Sequence, residues 1–317
     1  MQSRTCLARG RQAQLRAPSC WRAALPPQVW SSPMSVATDT QAQPRNEALD
    51  APVHIGAVSL RVRDLAGLTA FYRDEIGLSV IEQDADLAVL GAGGEPLVKL
   101  EAGAQHPSSA AGLFHMAILL PSRRDLGNWL RHAAEARIGL EGASNHLVSE
   151  ALYLSDPEGN GIEVYRDRSR PEWPRLDGGR LKMATERLDL DALLGDADGR
   201  AYAGMPEGTI MGHIHLRVGD LAQAEGFYRD ALGFEVMVHY PGASFMATGG
   251  YHHHIATNTW HSRGAGPRRD NEAGLASFEL VARDDEARAA LSRRMAASGG
   301  DAASTVDPWG NRITLRG

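Results

Sequence analysis

Two stretches of this chain, LRVRDLAGLTAFYRDEIGLSV at 60–80 and LRVGDLAQAEGFYRDALGFEV at 216–236, repeat one another at an offset of 156 residues. They share Asp-Leu-Ala and Phe-Tyr-Arg-Asp at matching places, so the chain is an internal duplication and must fold as repeats of one supersecondary unit. A second pair lies further on. SDPEGNGIEVY at 155–165 and VDPWGNRITLR at 306–316 are each an Asp-Pro-x-Gly-Asn turn leading into a strand of alternating apolar residues. Within each half the pattern recurs: strands open at HIGAVSLRV (54), LFHMAILLP (113), GHIHLRV (212) and GLASFELVA (274), followed by a helix and short strands. The first helix is expected from about Leu65 to Ile76, burying Leu68, Phe71 and Tyr72 and stopping at Gly77, as a C-cap glycine should. The reading is an α+β chain of four βαβββ units, with units one and two over 51–168, a linker over 169–210, and units three and four over 211–317.

With 317 residues, 43% of them hydrophobic, the chain can bury a sizeable core. A net charge of −6, with no basic run past the N-terminal segment, argues against a nucleic-acid footprint. No apolar run approaches the roughly 18 residues of a membrane helix. Residues 1–33 differ: they hold Arg4, Arg9, Arg11, Arg16 and Arg22, both cysteines (Cys6 and Cys20), and no acid. Such a segment reads either as a transit peptide or, more simply, as an extension upstream of a start at Met34, and residues 1–50 are set outside the fold. The body then has no disulfide framework and no thiol nucleophile, and a reducing cytoplasm is the default location.

One hairpin carries an unusual load. HLVSEALYLSDPEGNGIE, 146–163, places His146, Tyr153 and Glu163 around the Asp156–Asn160 turn. Side chains alternate along a strand, so Tyr153 faces away from Leu152 and Leu154, and Glu163 away from Ile162 and Val164. The polar pair can face a cavity while the apolar residues face the core. A buried tyrosine with a solvated carboxylate would explain either residue alone, but it explains the set less well.

Four units with D-L-x(5)-F-Y-x-D-x-x-G after the first strand and D-P-x-G-N before the last resemble the vicinal oxygen chelate superfamily of glyoxalases, antibiotic-resistance proteins and extradiol dioxygenases, over residues 53–316. The resemblance implies two open, cup-shaped mixed β-sheet barrels. The hairpin further resembles the signature of the ring-cleaving dioxygenases at His146, Leu152-Tyr153, Asp156-Pro157, Gly159 and Glu163, although Ser144 departs from the residues usual there. That branch uses non-haem Fe(II), with Mn(II) as the alternative, held by two histidines and one carboxylate. Glu163 is the implied carboxylate, and the first-strand positions hold His115 and His213. The equivalent positions of units one and four hold Ala57 and Ser277, and unit four's counterpart of Glu163 is Thr314. Pairing units in chain order leaves both cups without a full triad, whereas pairing two with three unites His115, Glu163 and His213. Units two and three are therefore expected to form the metal cup, and units one and four an empty one. The rival is His213 supplied by another subunit, and the fold is compatible with a homo-oligomer. His215 shares the face of His213, and His54 is expected only to pack.

In GGYHHHIATN the second histidine of the stretch used by such dioxygenases matches His253, with a slip of one residue left open. Strict alternation would put His252 and His254 on the opposite face. The resemblance implies a small aromatic diol and O2 as reactants. Tyr153 and His146 would bond the diol oxygen beside the cleavage site and help take its proton, and His253 would act as acid or base on the dioxygen side. Cleavage beside the hydroxyls would give a muconic semialdehyde. The alternatives are a hydroquinone-type ring cleaver using the same triad, a glyoxalase-like enzyme, and a non-enzymatic sequestering protein. The glyoxalase-like reading fits Ala57, Ser277 and Thr314 poorly, and the sequestering protein would need no acid or base beside its cavity.

Overall fold

The four opening strands form at Val53–Val62, Gly112–Leu119, Ile210–Arg217 and Gly274–Ala282, in a computed structural model that describes residues 47–106, 110–269 and 271–316. The arginine- and cysteine-bearing segment 1–33 lies outside the described residues. The fold begins slightly before the expected boundary, since Glu47–Asp50 is a turn whose Ala48 is buried.

Strands from units one and four make a seven-stranded sheet, and strands from units two and three a nine-stranded one. The opening strands lie side by side at the centre of each. Gly112–Leu119 pairs antiparallel with Ile210–Arg217, His115 opposite His215, and Val53–Val62 pairs antiparallel with Gly274–Ala282, Ser59 opposite Ser277. Each opening strand also pairs in parallel with its own unit's last strand, as Gly112–Leu119 does with Gly161–Asp167. The interleaved pairing expected from the ligand distribution is the one observed. The apolar faces of the two sheets meet in one large core that includes Val58, Leu60, Met116, Ile118, Ile214 and Phe278. The segment read as a linker also builds structure, because Glu186–Arg187 pairs with Gly142–Asn145 at the edge of the nine-stranded sheet.

The helix of unit one starts where the sequence says it should. Asp64 caps it, accepting from the Gly67 amide at 2.9 Å, and the α-helix covers Leu65–Phe71. The last turn widens into a π-turn over Tyr72–Ile76 before Gly77 closes it at φ 92°. The same sequence repeats the geometry in unit three, with an α-helix over Leu221–Glu225 and a π-turn over Gly226–Ala231. In both, the turn's tyrosine reaches the next unit's Asp-Pro-x-Gly-Asn turn: Tyr72 Oη donates to Asp156 Oδ2 and Tyr228 Oη to Asp307 Oδ2, each at 2.9 Å. No helix among the described residues is long and apolar enough to cross a membrane.

Candidate metal centre

The hairpin of strands Ser149–Ser155 and Gly161–Asp167 sets Tyr153 directly opposite Glu163, with Leu152 opposite Val164 and Leu154 opposite Ile162. Its turn is fixed by Asp156, whose Oδ1 accepts from the amides of Glu158 and Asn160 at 2.9 Å each while Oδ2 accepts from Asn160 Nδ2 at 2.8 Å. Alongside, a Cβ at Gly161 would come within 2.2 Å of the Phe114 carbonyl, so only glycine lets this strand close on His115.

His115, Glu163 and His213 converge from three neighbouring strands, and one donor atom from each lies within 4.8 Å of the others. His115 Nε2 is 3.1 Å and His213 Nε2 3.2 Å from the same Glu163 oxygen. All three residues are buried. Burial alone would raise the Glu163 pKa, but the two imidazoles outweigh it and hold the carboxyl well below its usual range. Burial pushes His213 down to about 4 against the pull of Glu163. An anionic carboxylate and a neutral imidazole are the ligating forms. Among the described residues His213 Nδ1 is buried with no partner, and the ring's hydrogen bond runs through the nitrogen that faces Glu163. Two nitrogens and an oxygen crowded around one buried point call for a cation between them, and a borderline divalent metal fits this donor set.

A cavity of about 480 Å³ opens beside this point, lined by His115, Glu163, Tyr153, His146 and His253, with Phe114, Phe245 and Trp260 among its walls. It is of a size to hold a single aromatic ring with substituents. His146 stands in the turn between Gly142–Asn145 and Ser149–Ser155, next to Leu147, which takes φ 71°. A left-handed leucine stores strain, of the kind that clusters at functional turns. There His146 Nε2 lies 2.7 Å from Tyr153 Oη, and its Nδ1 lies 2.8 Å from the Ala184 carbonyl. A carbonyl only accepts, so Nδ1 carries the proton and Tyr153 donates its hydroxyl hydrogen to Nε2. Burial and the nearby Glu163 charge hold the Tyr153 phenol well above its ordinary pKa.

Of the three consecutive histidines only His253 lines the cavity, its ring 4.0 Å from that of His213. Burial, and then the surrounding histidines, drive its pKa well below the ordinary value. The expected opposition of His252 and His253 does not hold, because strand Ile255–Asn258 begins only after them and residues 251–254 are irregular. Instead His252 Nδ1 lies 2.8 Å from His253 Nδ1. His254 turns into the core, accepting from the Thr248 amide at 3.3 Å. His215, on the face expected, also lines the cavity and takes a bond from Asn258 Nδ2 at 3.0 Å. Met183, Ala184 and Thr185 of the segment read as a linker line the same cavity. Nothing in their local sequence pattern marks them, since they lie in irregular chain.

Residues 54–164 and 210–315 match the profile of the Glyoxalase/Bleomycin resistance protein/Dioxygenase superfamily. A catechol-2,3-dioxygenase of Bacillus subtilis (strain 168) is 43% identical over 238 residues, covering 72% of this chain and 82% of that protein. A crystal structure from Bacillus subtilis subsp. subtilis str. 168, provisionally described as a dioxygenase, superposes with a TM-score of 0.54 at 12% identity, covering 83% of this chain and 84% of the other. Glyoxalase I from Zea mays gives a TM-score of 0.50 at 16% identity, covering 85% of this chain and 94% of the other, and speaks to the fold alone. With duplicated units, interleaved sheets and a family profile that spans both halves, this chain belongs to the Glyoxalase/Bleomycin resistance protein/Dioxygenase superfamily.

Proposed function

We propose that this chain is an extradiol dioxygenase that adds both atoms of O2 to a catechol-type aromatic diol, opening the ring beside the hydroxyls to give a muconic semialdehyde. The observation that carries the reading is one cavity containing a His115–Glu163–His213 donor set together with the Tyr153–His146 pair and His253. The 43% identity to a catechol-2,3-dioxygenase supports it. Those three side chains would hold Fe(II), with Mn(II) as the alternative. Held by one carboxylate and two neutral imidazoles, the ion would supply a site of net charge +1 that favours an anionic diol and would lend electrons to O2.

The chain's own groups then divide the proton work. Tyr153 gives its hydrogen to His146, so its oxygen lone pairs are free to accept from a diol hydroxyl. A proton taken there can pass on to His146 Nε2, while Nδ1 stays anchored on Ala184. On the other side of the cavity the neutral His253 can take a diol proton and later return it to oxygen. Phe114, Phe245 and Trp260 would flank the ring and keep water from it.

The test is anaerobic reconstitution of the full chain with Fe(II), then catechol and air, followed by the yellow absorbance of the semialdehyde. Colour that appears with the wild type and is lost in Glu163→Ala is the expected result. A protein that binds the metal through Glu163 but cleaves no catechol would overturn the substrate assignment. One whose activity survives Glu163→Ala would overturn the site.

A further inference from the structure

Behind His253 runs a chain of hydrogen bonds that the proposed chemistry has not used. His252 Nε2 lies 2.8 Å from Asp167 Oδ1, and His252 Nδ1 lies 2.8 Å from His253 Nδ1. Asp167 Oδ2 accepts from Tyr251 Oη at 2.7 Å, and Tyr251 Oη lies 3.1 Å from Tyr165 Oη. His252 is fully buried, with the Trp173 ring 5.3 Å away and the Tyr251 ring 4.0 Å away. Asp167 ends the strand that carries Glu163, so the relay and the carboxylate of the donor set share one element.

The direction of each bond follows from what each group can do. A carboxylate only accepts, and with Tyr251 on one oxygen the other takes the Nε2 hydrogen of His252. With the imidazole hydrogen of His252 held on Nε2 by Asp167, its Nδ1 is left to accept. The short contact between the two Nδ1 atoms then requires the hydrogen to sit on His253, leaving His253 Nε2 bare.

We infer that Asp167 and His252 are positioning residues that fix His253 in its Nδ1–H tautomer, so that a bare Nε2 is presented to the cavity as a proton acceptor. The same relay steadies the ring when that nitrogen takes a diol proton, because the positive imidazolium then donates toward His252 and, through it, toward the Asp167 carboxylate. The proton taken from the diol hydroxyl is the one His253 later returns. This rests on the dioxygenase reading for its use, but the tautomer itself does not.

The test is long-range proton–nitrogen NMR on the full chain with 15N-labelled histidine, metal-free and loaded with diamagnetic Zn(II). His253→Gln assigns the signal. The expected result is a hydrogen on His253 Nδ1 in the wild type and on Nε2 in His252→Phe, which has no acceptor to offer. His252→Asn can place its Oδ1 where Nδ1 stood and is expected to restore the wild-type tautomer. With Fe(II) loaded, His252→Phe should lower kcat for the diol about 10²-fold at an unchanged KM, and His252→Asn should recover most of it. A wild-type hydrogen on Nε2, or a tautomer that ignores His252→Phe, would overturn the inference. The NMR readout needs no turnover, so absence of diol cleavage would strike the function reading while leaving the tautomer result intact.

Discussion

What Tyr153 can do is decided by one bond it does not make itself. Because the Ala184 carbonyl holds His146 Nδ1, the Tyr153 hydroxyl must donate, which leaves the oxygen of this cavity-lining residue free to accept. Tyr153→Phe keeps the ring but removes the acceptor. It is expected to lower kcat about 10²-fold with metal content unchanged, checked by steady-state kinetics beside elemental analysis. The double variant Tyr153→Phe/His146→Ala should cost little more than either single change, since the two act as one unit. Most of this was legible in the sequence: strand alternation puts Tyr153 and Glu163 on one face, and the structure pairs them directly. Ala184 was not, because a backbone carbonyl reached from irregular chain leaves no mark on residue type. His252 was hidden for a related reason. Residues 251–254 are not a strand, and alternation fails wherever the backbone leaves the pleat.

Between elements, the two duplicated motifs turn out to be the two ends of one contact. The tyrosine of Phe-Tyr-Arg-Asp and the aspartate of Asp-Pro-x-Gly-Asn meet in Tyr72–Asp156 and again in Tyr228–Asp307, at 2.9 Å in both places. These bonds tie unit one to unit two and unit three to unit four, while the sheets pair two with three and one with four. Tyr72→Phe leaves a fully packed ring but strips a donor from a buried carboxylate. It should destabilise by about 1–3 kcal/mol in urea unfolding, with Tyr228→Phe costing a similar amount. The hairpin that carries Tyr153 and Glu163 has a second tether. Glu150 accepts from Arg123 Nε at the start of helix Arg123–Ala136 and from Arg166 Nε, at 2.8 Å each, and from Arg168 Nη2 at 2.9 Å. Burial would raise the Glu150 pKa, but Arg123 and Arg166 outweigh it and hold it below the ordinary 4.5. A carboxyl depressed in the folded state adds stability that is present above the unfolded value and is lost as pH falls through the folded one. The melting temperature of Glu150→Gln should therefore lie below wild type at neutral pH, and the gap should close as pH drops below 4.5. A gap independent of pH would show that the arginines contribute by packing alone.

Across the whole molecule the same fold is built twice, and among the described residues one copy gathers a His-Glu-His donor set. The pairing of units could be deduced from where histidines were missing, since only units two and three together complete a triad. What fills the other cup could not. The register that sets Glu163 beside Ala117 sets Lys99 beside Ser59, so Lys99 stands at the carboxylate position of unit one. Sequence alignment had no hold there, because unit one reaches its last strand through Gly93-Gly94, both at positive φ, rather than through an Asp-Pro-x-Gly-Asn turn. Opposite it, Glu279 occupies the place that His215 holds in unit three, and Lys99 Nζ sits 2.5 Å from Glu279 Oε1. Glu279 Oε2 also accepts from the Ala57 amide at 3.2 Å, at the position that His115 holds in unit two. An ammonium thus stands where the other cup gathers donors for a divalent ion, and a fixed cation there repels a second one. The loaded protein should accordingly hold one metal per chain by elemental analysis, all of it lost in Glu163→Ala. Lys99→Met removes the ammonium without supplying ligands. It should leave the stoichiometry at one and cost about 1 kcal/mol of stability, the pair being half-buried and its carboxylate still bonded to the backbone. Two metals per wild-type chain would mean that Lys99 and Glu279 do not close the second cup.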